Sequence, residues 1–117
     1  MSVTVADVLN QAAELVEFGW TKGAYARTAA GDELDLGQKG GICWCTSGAI
    51  GEAVRRLNQR FDEGLFFEAT EEFRRALRIR DEVPEWNDRA SRRKGQVITA
   101  LRRTAALARE QEGQGQP

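Results

Sequence analysis

Histidine is absent from all 117 residues. A cysteine or serine hydrolase of the usual kind needs an imidazole to take and return the proton of its nucleophile, so that chemistry has no base within one chain. The same absence removes the commonest neutral metal ligand, and the two cysteines, Cys43 and Cys45, supply at most half of a tetrahedral zinc site. Carboxylates such as Asp32, Glu33 and Asp35 could complete a site only through loop folding, so no metal and no cofactor is expected. Long apolar runs are missing too: nothing approaches the ~18 residues needed to span a bilayer, and the N-terminus lacks a basic region followed by a hydrophobic core. The chain reads as cytoplasmic, with no membrane partner. In a reducing compartment the thiols stay free, and the Cys-Trp-Cys spacing is neither that of a thioredoxin-type pair nor an easy ring to bridge.

Proline is scarce, with two residues, and neither sign of charge dominates a net of −1. With 41% hydrophobic and 30% charged residues, the composition is that of one soluble domain. It is read as a single helical domain over residues 1–111, followed by a disordered tail, "EGQGQP", at 112–117. Charge is uneven along the chain. Between Arg74 and Arg103 lie ten arginines or lysines against four acids, a basic segment in an otherwise acidic sequence.

The fold class expected is all-α, about four helices around a single core. "TVADVLNQAAELVEFG" has apolar residues at helical spacing, with Thr4 and Asp7 placed as a capping box and Gly19 as a stop. Six glycines from Gly19 to Gly41 then mark a loop with room for a small hairpin. A second helix is expected over 43–60. At about 100° per residue, Cys43, Ser47, Ile50, Val54, Leu57 and Phe61 share its inner stripe, while Cys45, Ala49 and Ala53 form a strip of small residues open to a close neighbour. A third helix is expected over 65–79, with Phe66, Ala69, Phe73 and Leu77 inward. "VPEWND" reads as a break, because Pro84 disfavours helix at Val83 and Asn87-Asp88 are turn formers. The last helix is expected from a Ser91 cap to Glu110.

A thiol at a helix start can be nucleophilic, but free cysteine more often packs as a small hydrophobe, and without histidine the structural reading of Cys43 and Cys45 has the greater weight. Arg89, Arg92, Arg93 and Lys94 stand where the dipole of the last helix prefers an anion, so they either hold a phosphate or carboxylate or pair with Asp81, Glu82, Glu85 and Asp88. Trp20, Trp44 and Trp86 either pack loops onto the core or wall a pocket with Tyr25, having Arg27, Asn87 and Asp88 as its polar contacts.

"GWTKGAYARTAAG" at 19–31, "CWCTSGAIGEA" at 43–53, "WND" at 86–88 and "QVITALRRTAALA" at 96–108 together resemble a family of small hypothetical proteins from actinobacteria, other bacteria and phages, catalogued as a domain of unknown function. The resemblance implies a phage or mobile-element setting and no established activity. It singles out Trp20, Gly23, Cys45, Gly48, Ala49, Trp86, Asn87 and Asp88. The function expected is binding, of a protein partner or a small anionic ligand, without catalysis. Its site is drawn from Trp20, Tyr25, Arg27, Cys45, Trp86, Asn87, Asp88, Arg92 and Arg93. Two rivals are an enzyme using Cys43 or Cys45, with Asp88 or another chain's histidine as base, and a nucleic-acid binder using the basic segment 74–103.

Overall fold

The computed structural model describes residues 2–114. Its first element is α1 (Val5–Phe18), opened by the expected capping box: Thr4 Oγ1 accepts from the Asp7 amide at 3.1 Å and Asp7 Oδ2 accepts from the Thr4 amide at 3.1 Å. The Thr4 amide and the Arg109 guanidinium hold the Asp7 carboxyl below its ordinary value, against an opposing push from burial. Ala6, Val8, Leu9, Ala12, Ala13, Leu15 and Val16 are buried, more than one stripe of the helix, because α1 is packed by several neighbours at once.

After α1 come β1 (Ala26–Arg27), β2 (Glu33–Leu34) and β3 (Cys43–Trp44). They form one antiparallel sheet in the order β2-β1-β3, and Trp20 adds a parallel bridge to Trp44. The fold is therefore mostly helical with a small sheet, not purely α. The expected hairpin is the β1–β2 pair; the third strand comes from residues assigned to a helix. Two-residue strands are too short to show alternation in sequence, and Cys43-Trp44 reads as the first turn of the helix that follows.

That helix, α2 (Thr46–Asn58), starts three residues later than its periodicity suggests. Cys45 is its N-cap, in extended backbone, with Sγ accepting from the Gly48 amide at 3.3 Å. Cys43 thus lies on a strand rather than on the inner helical stripe. Ser47, Ile50 and Val54 of that stripe are buried, Leu57 is partly exposed, and Phe61 lies beyond the helix, against Phe66. The close neighbours of α2 stand at glycines outside the expected strip of small residues. Ala49 and Ala53 are buried, but the tightest approach falls at Gly48 and Gly51: a Cβ on Gly48 would sit 1.8 Å from the Tyr25 carbonyl oxygen, and one on Gly51 2.7 Å from Leu36 Cδ1. The glycine-rich segment is seated directly on α2.

α3 (Glu63–Leu77) is capped by Asp62, whose Oδ1 accepts from the Leu65 amide at 3.1 Å, and it ends where Arg78 turns left-handed at φ 55°. "VPEWND" is not a break but a short helix, α4 (Val83–Asp88), which makes five helices among the described residues. Pro84 is tolerated because it stands in the first turn, where an amide has no intrahelical acceptor. α5 (Lys94–Gln114) starts after Ser91, which is exposed in the preceding turn. Its start is closed by Gln96, whose Oε1 accepts from the Arg93 amide at 2.9 Å. The helix continues through 112–114, residues assigned to the tail; 115–117 lie outside the described residues.

The core lies between α1, α2 and α5, and α3 closes one side through Ala69 and Phe73. Phe73 meets Trp86 edge-on, with ring centroids 5.3 Å apart, which ties α4 to α3. Glu52 is buried on α2, and although burial pushes its carboxyl up, hydrogen bonds from Arg55 and Arg56 hold it below its ordinary value. Among the described residues no helix is long and apolar enough to cross a membrane.

Candidate functional site

Asn87 is fully buried, and its side chain is the polar centre of the molecule. Its Oδ1 accepts three donors: the Trp20 indole Nε1 at 2.8 Å, the Thr46 amide at 3.0 Å and the Thr46 hydroxyl at 2.7 Å. Its Nδ2 donates to the Thr21 carbonyl at 3.1 Å and to Asp88 Oδ1 at 2.9 Å. One carboxamide therefore joins the segment after α1, the first residue of α2 and the end of α4. An asparagine suits this place because it offers an acceptor and two donors without a charge to desolvate. Trp20, expected as a pocket wall, and Asn87, expected as a polar contact of that pocket, are joined by a hydrogen bond inside the structure.

Asp88 is exposed, and its Oδ1 also accepts from the Gly23 amide at 3.1 Å, which fastens the glycine-rich segment to α4. Between these two elements lies a cleft of about 330 Å³ lined by Gly23, Ala24, Tyr25, Glu33, Leu34, Asp35, Cys45, Pro84 and Asp88. Of the residues expected at the site, Tyr25, Cys45 and Asp88 line it, and Trp20 and Asn87 support it through the hydrogen bonds above. The other four stand apart. Arg27 clamps its own loop, donating to Thr21 Oγ1 at 3.2 Å and to the carbonyls of Lys22 and Gly31. Trp86 is buried, with the Arg92 guanidinium 4.0 Å from its ring centroid and Arg92 Nε donating to its carbonyl at 3.0 Å. Arg93 lines a separate groove with Leu77, Gln96, Thr99 and Arg103. The three tryptophans do not share one pocket: Trp44 is buried near Phe18, with Arg56 over its ring.

The two cysteines occupy different settings. Cys43 is half-buried on β3, whereas Cys45 is 2% exposed at the cap of α2. Burial pushes the Cys45 thiol up to about 11, against the amides of Gly48 and Ser47 that favour the thiolate. At neutral pH this group is a neutral thiol, so its place at a helix start does not make it a nucleophile. Thiol titration with a chromogenic disulfide under native conditions is expected to count Cys43 promptly and Cys45 only on unfolding. Two prompt thiols would show that Cys45 lies open to solvent.

Much of the basic segment is internally engaged. Arg74 pairs with Glu71 and reaches the Arg80 and Asp81 carbonyls, Arg75 pairs with Glu72, Arg89 with Asp81 and Arg102 with Glu17. Sequence reasoning missed Thr21 and Thr46, whose backbone and hydroxyl groups complete the Asn87 network, and Pro84 as a cleft wall. Gly48 within a helix was the legible signal that another backbone comes close.

No curated protein and no solved structure matches this chain. A family model does, over residues 1–107, which takes in the whole Asn87 network and every residue of the cleft. The chain belongs to that family, described as a family of unknown function, DUF6197.

Proposed function

We propose that the protein acts by binding, with the cleft between the glycine-rich segment and α4 as its recognition site. The observation that carries this reading is the convergence of Tyr25, Glu33, Cys45 and Asp88, from four places in the chain, on one concavity framed by the Asn87 network. A preformed concave surface with mixed apolar and polar lining is where a small ligand, or one side chain of a protein partner, gains most from contact. An anion is less well served there, because Arg92 is spent on Trp86 and Arg93 lies on another groove. Two free thiols suit a cytoplasmic setting.

A fragment screen read by the amide spectrum of the full chain tests this. Ligands are expected to shift the signals of Gly23, Tyr25, Leu34, Cys45 and Asp88 in common. Shifts that gather instead on the groove between α3 and α5, with the cleft silent, would contradict the proposal.

A further inference from the structure

A groove of about 680 Å³ lies between the end of α3 and the first half of α5, with apolar lining from Leu77 and Ala100, polar lining from Gln96 and Thr99, and two arginines, Arg93 and Arg103. No carboxylate lines it. Neither guanidinium has a hydrogen-bond or ion-pair partner among the described residues, although most arginines of the chain are held by a carboxylate, a carbonyl or a ring. Of the others without a partner, Arg78 and Arg80 follow Leu77 in the chain and line a hollow at the end of α3, and Arg60 stands elsewhere. Acids close in sequence are turned away: Asp81 pairs with Arg89, and Asp88 accepts from Gly23 and Asn87. The local field is positive, since burial and the charge of Arg89 together hold the Arg92 guanidinium below its ordinary value. The groove is apolar as well as basic. Leu107, 44% exposed, stands one turn beyond Arg103, so Ala100, Arg103 and Leu107 alternate apolar and cationic positions along one stripe of α5.

Arg93 and Arg103 stand about 15 Å apart along the helix, at its usual rise per residue. One phosphate or carboxylate cannot reach both, whereas about five residues of extended chain can. A guanidinium takes a carboxylate through two parallel hydrogen bonds, and apolar side chains between two such carboxylates would leave water for Leu77 and Ala100. A nucleic acid also carries repeated anions. Here, however, no aromatic ring lines the groove to stack on a base, because Trp86 is buried with Arg92 over its ring. We infer that this groove docks an acidic polypeptide segment of a partner protein, with carboxylates on Arg93 and Arg103 and apolar side chains between them. It is a second surface, whose lining shares no residue with the cleft, and it does not rest on the reading of the cleft.

Capped peptides titrated into the full chain and followed by amide spectra test the assignment, with oligothymidylate and citrate as the rival anions. Glu-Leu-Leu-Leu-Glu is expected to shift the signals of Leu77, Gly95, Thr99 and Arg103. Exchange of both glutamates for glutamine, or of the leucines for serine, should weaken its binding by about tenfold. The double variant Arg93→Gln with Arg103→Gln alters two exposed side chains without partners, so its melting temperature should stay that of the wild type while peptide binding falls by about tenfold. The comparison of glutamate and glutamine peptides is made on the wild type and holds whatever the variant's stability. Equal binding by wild type and double variant, equal binding of those two peptides, or peptide shifts confined to the cleft would overturn the inference. Tighter binding of oligothymidylate than of the peptide would overturn it in favour of nucleic acid, and citrate as effective as the peptide would do so in favour of a small anion. Silence of the groove to every probe would also overturn it, and the cleft is tested by the fragment screen alone.

Discussion

Asn87→Leu is expected to destabilise the protein by about 4 kcal/mol, the largest loss among the single substitutions considered, and to lower the melting temperature by about 15 °C. The leucine fills nearly the same space, so the loss is not that of a cavity. It comes from the groups left behind. The Trp20 indole N–H, the Thr46 amide, the Thr46 hydroxyl and the Thr21 carbonyl would all lose their partner at once, around a position with no solvent exposure. A buried polar group without a partner costs about 1–3 kcal/mol, and the sum is held down because the segment around Trp20 and Thr21 is only half-buried and can reach water. Trp20→Phe is the comparison. It removes one donor while Oδ1 keeps two, and it should cost about 1 kcal/mol. Thermal or denaturant unfolding of the two variants checks the order. Equal losses would mean that Trp20 packing, not the carboxamide, holds these elements together.

Gly48→Ala is expected to cost about 2–3 kcal/mol, although helix propensity alone has the opposite sign. Alanine is favoured over glycine within a helix by about 1 kcal/mol. Here the added methyl would stand 1.8 Å from the Tyr25 carbonyl oxygen and 2.6 Å from its carbonyl carbon, distances at which backbone must move. The Tyr25 carbonyl also accepts from the Cys45 amide at 3.0 Å, so the displacement breaks the bond that joins the residue before β1 to the cap of α2. Overpacking of this kind costs about 1–3 kcal/mol, or more when backbone is the obstacle, and it outweighs the propensity gain. Gly95→Ala is the control. Nothing lies within 4 Å of its Cβ position, and there propensity should win, with a gain of up to about 1 kcal/mol in the same unfolding experiment. Because Tyr25 lines the cleft, Gly48→Ala should also alter ligand-induced shifts that Gly95→Ala leaves alone.

The helices that bury an apolar face were legible because that face repeats: α1 and its capping box, and the buried Ala69 and Phe73 of α3, follow from spacing. What was not legible has local causes. Strands of two residues have no period, so Cys43-Trp44 merged with the helix after it. Pro84 signalled a break, yet the first turn of a helix needs no amide from it. Ser91 had the chemistry of a cap, but Gln96 closes α5 through the Arg93 amide. At the site, residue types singled out Trp20, Asn87 and Asp88, which hydrogen bonds bring together, whereas the arginines engage other groups, because sequence does not show that a guanidinium will lie on Trp86 or on its own loop's carbonyls. Glu33 and Asp35 entered the sequence reading only as carboxylates for a metal site that loop folding would have to complete; that they lie beside α4 at the cleft was not legible, because it depends on where β2 is seated.

The Asn87 carboxamide ties the elements around the cleft together, and hydrogen exchange at the groups bound to it tests whether they are held closed. The Thr46 amide and the Trp20 indole proton should exchange only with global unfolding, at rates matching the buried amides of α1. Exchange at Thr46 many times faster than in α1, with α1 still protected, would show that the network opens locally and that the cleft is not held ready for a ligand.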